Sequence, residues 1–273
     1  MTTAAAGRSL LVAALLTACA FPPVSEVRLP PVTGSFDYQL GGVDDTAGLA
    51  VVARDASAVP MPGAYNLCYV NGFQSQPGEG ERWLRDYGPA VLRDAAGAPV
   101  SDPDWPDEYV LDPSAAAQRK IILDVLGPLL SDCAGKGFDA VEIDNFDTFT
   151  RFSDPATGRI DEQGAIELAR SYATIAHDHG LAIGQRNAAE SVETGRREVG
   201  FDFAVAEECA AYRECARYEQ VYGPHVLQIE YADNLPAPFR AVCDSPERAP
   251  LTILRDRDLV AAGIAGHVYE QCR

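Results

Sequence analysis

Residues 137–149 read GFDAVEIDNFDTF, and the five residues AVEID at 140–144 decide the fold. They alternate in the period-two pattern of a strand: Val141 and Ile143 share one face, Glu142 and Asp144 the other. Helical patterns flank them, over 114–133 before and 161–179 after, with Ser114 placed as an N-cap and Gly180 as a stop. A strand between two helices is a unit of parallel sheet, because parallel partners are reached through a crossover.

Working outward, short β-type runs recur at 36–40, 49–54, 65–70, 108–112, 182–186, 203–207, 226–231 and 251–255, with a further helical pattern at 256–262. With 140–144 that makes nine runs, one more than a (β/α)8 barrel needs. The run at 36–40 is taken as the extra one. Only residues 41–48 separate it from the next, too few for a crossover helix. Ten residues, 55–64, join the runs at 49–54 and 65–70, and two of them are proline, so the first helix is missing or vestigial. The expected fold is a TIM (β/α)8-type barrel with an extra N-terminal strand and a reduced first helix. The chain of 273 residues accommodates one such domain of ~250 residues.

Residues 1–18 carry one charge, Arg8, and an apolar run too short to span a bilayer, which reads as a signal peptide. The string LTAC at 16–19 is similar to a bacterial lipobox, which makes Cys19 an acylated mature N-terminus. Residues 19–35, with four prolines, read as a tether, and 36–273 as the barrel domain. The expected location is extracytoplasmic, with the membrane touched through the lipid anchor alone, or secreted if the Cys19 anchor is absent. Six further cysteines, an even number in an exported chain, point to three disulfides with 15 connectivities open. Apolar residues make up 47% of the chain, enough for a large core. Forty Asp and Glu against 22 Lys and Arg give a net charge of −18. That excludes nucleic acid as a partner, and it is consistent with a cationic ligand or with solubility alone.

In a barrel of this kind chemistry sits where strands end. Several runs end in polar or acidic residues: Asp112, Asp144 with Asn145, Arg186 with Asn187, Glu207 with Glu208, and Glu230 with Tyr231. Two carboxylates on different strands are the equipment of glycoside hydrolysis, although strand-end carboxylates also cap helices and bind cations. His177 and His179 are two apart on a helix and point apart, and no CxxC, GxGxxG or GxSxG occurs. No metal or organic cofactor is implied.

At these residues the sequence resembles glycoside hydrolase family 114. The strings that carry the resemblance are GFDAVEIDNFDTF, GLAIGQRNA (180–188), FDFAVAEECAAYREC (201–215) and IEYAD (229–233), with DYQLGG near the start and WPDEYVLD at 105–112. The resemblance implies a TIM barrel and endo-α-1,4-polygalactosaminidase activity on a cationic, galactosamine-containing polysaccharide. It places Asp144 and Glu207 as the catalytic pair. By analogy with the α-galactosidase clan, the fourth-strand Asp144 is the nucleophile and the sixth-strand Glu207 the acid/base. Asn145, Asn187, Glu230 and Tyr231 match family positions and are expected to line the sugar site with Tyr69, Asp112 and Arg186. Glu230 is the rival of Glu207 as acid. Arg186 stands where the family usually has Lys, and Glu208 where it has Gln. The motif pairs Cys209 with Cys215; order along the chain leaves Cys68 with Cys133 and Cys243 with Cys272. A carbohydrate-binding lipoprotein that keeps the barrel without turnover is the alternative reading.

Overall fold

The computed structural model describes residues 1–2, 27–45 and 48–273. Cys19 and nearly all of the expected signal peptide lie outside the described residues. Eight strands pair in parallel in chain order: β1 (Phe36–Tyr38), β2 (Val51–Asp55), β3 (Tyr65–Asn71), β4 (Ala140–Asp144), β5 (Ala182–Arg186), β6 (Phe203–Glu207), β7 (Val226–Tyr231) and β8 (Leu251–Arg255). A ninth, β9 (Tyr269–Gln271), runs antiparallel to β8.

The ring closes through side chains. The Tyr269 hydroxyl donates to the Phe36 carbonyl at 2.9 Å, and the Phe36 N–H donates to Gln271 Oε1 at 3.2 Å. Buried Arg255 bonds the Asp37 carboxylate and the Tyr38 carbonyl. These bonds supply partners to a strand edge whose backbone groups would otherwise be unpaired.

The barrel class is as the sequence indicates, but its membership differs. Phe36–Tyr38 is paired in parallel with β2, so the N-terminal strand is one of the eight parallel members. The run 108–112 is instead a loop segment held by isolated antiparallel bridges, Gln74 to Val110 and Val91 to Leu111. The crossover from β1 to β2 contains no helix among the described residues. A three-residue strand is only ~10 Å long, and a dozen residues of extended chain retrace that distance easily. The two differences cancel in the count, and β4 and β6 remain the fourth and sixth strands.

Alternation along each strand divides the core. Leu67, Ala140, Phe203, Val205, Ile229 and Ile253 fill the barrel. Val141, Ile143 and Ile183 face the helices α1 (Ala116–Lys136) and α2 (Glu162–Asp178). Gly184 lies on the inner face of β5, where an added Cβ would come within 2.5 Å of the Phe203 ring. Asp161 caps α2 by accepting from the Gly164 N–H at 2.9 Å, and Gly180 follows its end at φ +75°. Ser114 is not the cap of α1: its hydroxyl accepts from the Asp161 N–H at 2.9 Å, tying the starts of the two helices together. Residues 256–262 are turns, because the Asp256 carboxylate accepts from the N–H groups of Val260 and Val268 and folds the segment into a loop.

The described part of the expected tether is docked. Val27 and Leu29 pack on the inner core, Arg28 pairs with Asp139, and its carbonyl accepts from Tyr65 at 2.6 Å. Disulfides join Cys68 to Cys133, Cys209 to Cys215 and Cys243 to Cys272. The first ties β3 to α1, the second closes a loop after β6, and the third fastens the segment of β9. Among the described residues, no helix is long and apolar enough to cross a membrane.

Candidate active site

Strand parity sends Asp144, Arg186, Glu207 and Tyr231 inward at the C-terminal mouth of the barrel, where the inner core ends. Arg186 is at the centre. Its Nη1 lies 2.7 Å from Asp144 Oδ2 and its Nη2 lies 2.7 Å from Glu207 Oε1, while Nε donates to Glu207 Oε2 at 3.1 Å. The guanidinium carbon sits 4.9 Å from the Tyr69 ring centroid and 5.4 Å from that of Tyr38. A planar cation over aromatic rings keeps its edge free for hydrogen bonds.

Each carboxylate has further donors. Asp144 accepts from the Tyr69 hydroxyl at 2.9 Å and from the Asn145 N–H at 2.7 Å. Glu207 accepts from Asn187 Nδ2 at 2.8 Å and from the Tyr231 hydroxyl. Asn187 Oδ1 also accepts the Glu207 N–H at 2.9 Å, which fixes the amide's orientation. Asn145 and Asn187 have φ of 63° and 55°. Asn tolerates this left-handed conformation better than most residues, and it turns the chain sharply off the strand end. The side chains of Asp144 and Glu207 are 14% and 13% exposed, so both remain reachable from the mouth.

Burial alone would push the Glu207 carboxyl upward. The Arg186 charge and the hydrogen bonds from Arg186, Tyr231 and Asn187 outweigh it and hold Glu207 below the ordinary glutamate range. Beneath the pair, fully buried Glu142 behaves oppositely. Burial, reinforced by the charges of Asp144 and Glu207 and opposed by Arg186, pushes it up to about 8. The Tyr38 hydroxyl, which also opposes the shift, lies beside it outside ordinary hydrogen-bond geometry, and among the described residues neither Glu142 oxygen has another partner. That direction favours the neutral acid at neutral pH.

Two expected site residues are elsewhere. Glu230 faces outward from the barrel and is wholly buried. Its Oε1 accepts from the Ala210 N–H at 2.9 Å and Gln228 Nε2 at 2.8 Å, supporting the Cys209–Cys215 turn. Adjacent strand residues point oppositely, so placing Tyr231 in the mouth sends Glu230 out of it. Asp112 accepts from the Ser114 N–H at 3.0 Å and Gln118 Nε2 at 2.7 Å, and so organises the start of α1. Glu208, at φ 56°, pairs with Arg257, whose guanidinium carbon stacks 4.5 Å from the Tyr231 ring centroid. A cavity of about 90 Å³ beside the Cys209–Cys215 disulfide is lined by none of the mouth residues.

Sequence reasoning missed Tyr38, Asn71 and Glu108. Tyr38 was lost with its strand. Asn71 is one residue beyond the run at 65–70, and its amide bonds Asn145 at 3.0 Å and Glu108 at 2.8 Å. Applying the polar strand-end rule one residue later would have found it.

The model of glycoside-hydrolase family GH114 matches residues 17–273. The chain belongs to glycoside hydrolase family 114. It is a glycoside hydrolase, and the carboxylate pair lies at the face where barrels of this type carry chemistry. The crystal structure of Aspergillus fumigatus Ega3 in complex with galactosamine is similar, with a TM-score of 0.69 at 21% identity, covering 92% of this chain and 100% of that one. The glycoside hydrolase domain of PelA from Pseudomonas aeruginosa is similar with a TM-score of 0.57 at 12% identity, covering 85% of this chain and 98% of that one. These two likenesses concern the fold. No curated protein sequence matches the chain.

The neutral state of Glu142 has a measurable effect on this GH114 barrel. Its folded pKa lies near 8 and its unfolded value near ~4.3, so the folded chain holds one more proton across that window. Stability from this group is full below the unfolded value and is lost as pH rises towards 8. Glu142→Gln keeps the shape and cannot ionise. Urea unfolding at a series of pH values is expected to show the variant gaining on the wild type as pH rises, by at most ~1.4 kcal/mol per unit. A constant difference between pH 5 and pH 8 would mean that Glu142 is ionised throughout.

Proposed function

We propose that the protein is an endo-acting hydrolase of α-1,4-linked, galactosamine-containing polysaccharide, with Asp144 as nucleophile and Glu207 as general acid/base. The observation that carries the assignment is the single guanidinium of Arg186 bonded to both carboxylates at the barrel mouth. It pairs two reachable acids from the fourth and sixth strands, whereas Glu230 and Glu142 are both fully buried. The family resemblance of the strings around these residues supports the polymer. So does the net charge of −18, which draws unacetylated, cationic galactosamine.

In the first step an Asp144 oxygen bonds to the anomeric carbon, the glycosidic C–O bond breaks, and the Glu207 proton passes to the leaving oxygen. In the second, water attacks the same carbon, Glu207 takes the proton of that water, and the Asp144 ester is released. Tyr69 and the Asn145 N–H steady the Asp144 charge before and after. The proton that Glu207 must give is disfavoured in the free enzyme. On this reading Glu207 takes up its proton as the sugar binds, before the first step. Turnover on this reading falls as pH rises, because the proton-bearing form of Glu207 is depleted.

Cys19 anchors the mature chain outside the cytoplasm through an acyl chain, a reading supported by the LTAC string after a short apolar run. Expression of Cys19→Ala with membrane fractionation tests it: the variant should leave the membrane fraction or stay unprocessed, and an unchanged distribution refutes the anchor.

Asp144→Asn and Glu207→Gln are each expected to fold and to lose at least ~100-fold in kcat on partly deacetylated polygalactosamine, followed by mass spectrometry of the released oligomers. Glu230→Gln should keep the wild-type product pattern. Near-normal turnover in either of the first two variants removes that residue from the catalytic pair.

A further inference from the structure

Beside the carboxylate pair, a second acidic group overlooks the mouth from the loop between β3 and α1. Antiparallel bridges from Gln74 to Val110 and from Ser101 to Tyr109 lay this segment over the end of β3. Asn71, the last residue of β3, is in register with Asp144 of β4. Its Nδ2 donates to Glu108 Oε2 at 2.8 Å, so Glu108 stands one amide away from the catalytic strand end. Glu108 is 7% exposed, and Asn71 holds one of its two oxygens. Nearby, the fully buried acceptor Gln74 Oε1 is without a partner among the described residues. The cation of this group, Arg151, is committed: it bonds Asp102 at 2.7 Å and Asn145 at 2.6 Å and pairs with Asp147 at 3.3 Å. A nearly buried carboxyl held by one neutral amide and surrounded by acids is poised to take a cationic donor from outside the chain.

The same loop carries an exposed aromatic ring. Trp105 is 56% exposed, and its carbonyl accepts the Glu108 N–H at 2.9 Å, so ring and carboxyl belong to one turn. A pyranose packs its C–H face on an indole, and an amine on the same unit is then within reach of an acid a turn away.

We propose that Glu108 reads the substrate's amine: its carboxylate pairs with the ammonium of a galactosamine unit seated next to Asp144, and this selects deacetylated over N-acetylated units. The proposal rests on the hydrolase reading given above and names how that site recognises its polymer. An N-acetyl group carries neither the charge nor the donors of an ammonium, and it would leave the Glu108 carboxylate without a cation.

Charge coupling supplies a second signature. Burial, with the charges of Asp144, Asp107 and Asp102, pushes Glu108 up to about 7, against the hydrogen bond from Asn71. The free carboxyl is therefore largely protonated at pH 6. An arriving ammonium favours the ionised form, so binding expels a proton.

Calorimetry tests this with an α-1,4-linked galactosamine trimer and its N-acetylated counterpart. Each is titrated at pH 6 into Glu207→Gln, which keeps the Asp144 charge beside Glu108, and into Glu207→Gln with Glu108→Gln, in two buffers of different ionisation enthalpy. Glu108→Gln retains an oxygen for Asn71 and loses only the charge. It should weaken the amine ligand ~10-fold or more, leave the acetylated ligand within ~2-fold, and abolish the extra proton release. Equal weakening of both ligands, unchanged proton release, or no binding of the amine trimer overturns the proposal. Polymer turnover by the wild-type enzyme is followed separately. Turnover without Glu108-dependent selection defeats this inference alone, and absent turnover defeats the hydrolase reading while the binding data still decide the role of Glu108.

Discussion

The guanidinium of Arg186 bonds two carboxylates that would otherwise repel each other across the barrel mouth. Two like charges a few ångströms apart in a partly dry site raise each other's pKa until one takes a proton. Arg186 removes that pressure by binding both at 2.7 Å. The rest of the site serves this arrangement. The Tyr69 and Tyr38 rings lie against the cation, Asn187 and Tyr231 hold Glu207 against it, and the Asn145 backbone steadies Asp144.

The same constraint explains the neutral acid below. With one cation and two carboxylates already in place, an ionised Glu142 would add a second excess negative charge to a wholly buried position. Burial and its acidic neighbours keep the proton on it instead. The barrel's packing makes room for the layer: Gly184, in register with Glu142, leaves its space to the Phe203 ring. Selection among substrates then falls to the rim, where the loop carrying Trp105 and Glu108 lies over the end of β3.

Much of this was legible before any coordinates. Alternation in AVEID put Asp144 on the inner face, and the polar ends of 182–186 and 203–207 marked Arg186 and Glu207. Parity also held the answer to Glu230: once Tyr231 faces inward its predecessor cannot. The family string and the parity rule disagree at Glu230, and the structure follows parity. The strand count failed where it relied on connection length, because β1 is too short to need a helical crossover. Glu108 was hidden for a different reason. It reaches the site through Asn71, 37 residues earlier, and long-range pairing of loop residues leaves no periodic trace in the sequence. The GH114 match over 17–273 gives the reaction class, and the geometry brings the two proposed catalytic carboxylates together on one guanidinium.

The central claim is that Arg186 sets the charge state of Glu207, and carbon-13 NMR of carboxyl-labelled glutamate measures it most directly. In the wild type the Glu207 resonance should titrate below the ordinary glutamate range. In Arg186→Met, with burial opposed by the Tyr231 and Asn187 hydrogen bonds alone, it should titrate at distinctly higher pH than in the wild type. A Glu207 resonance that titrates at the same pH in both proteins would contradict the account.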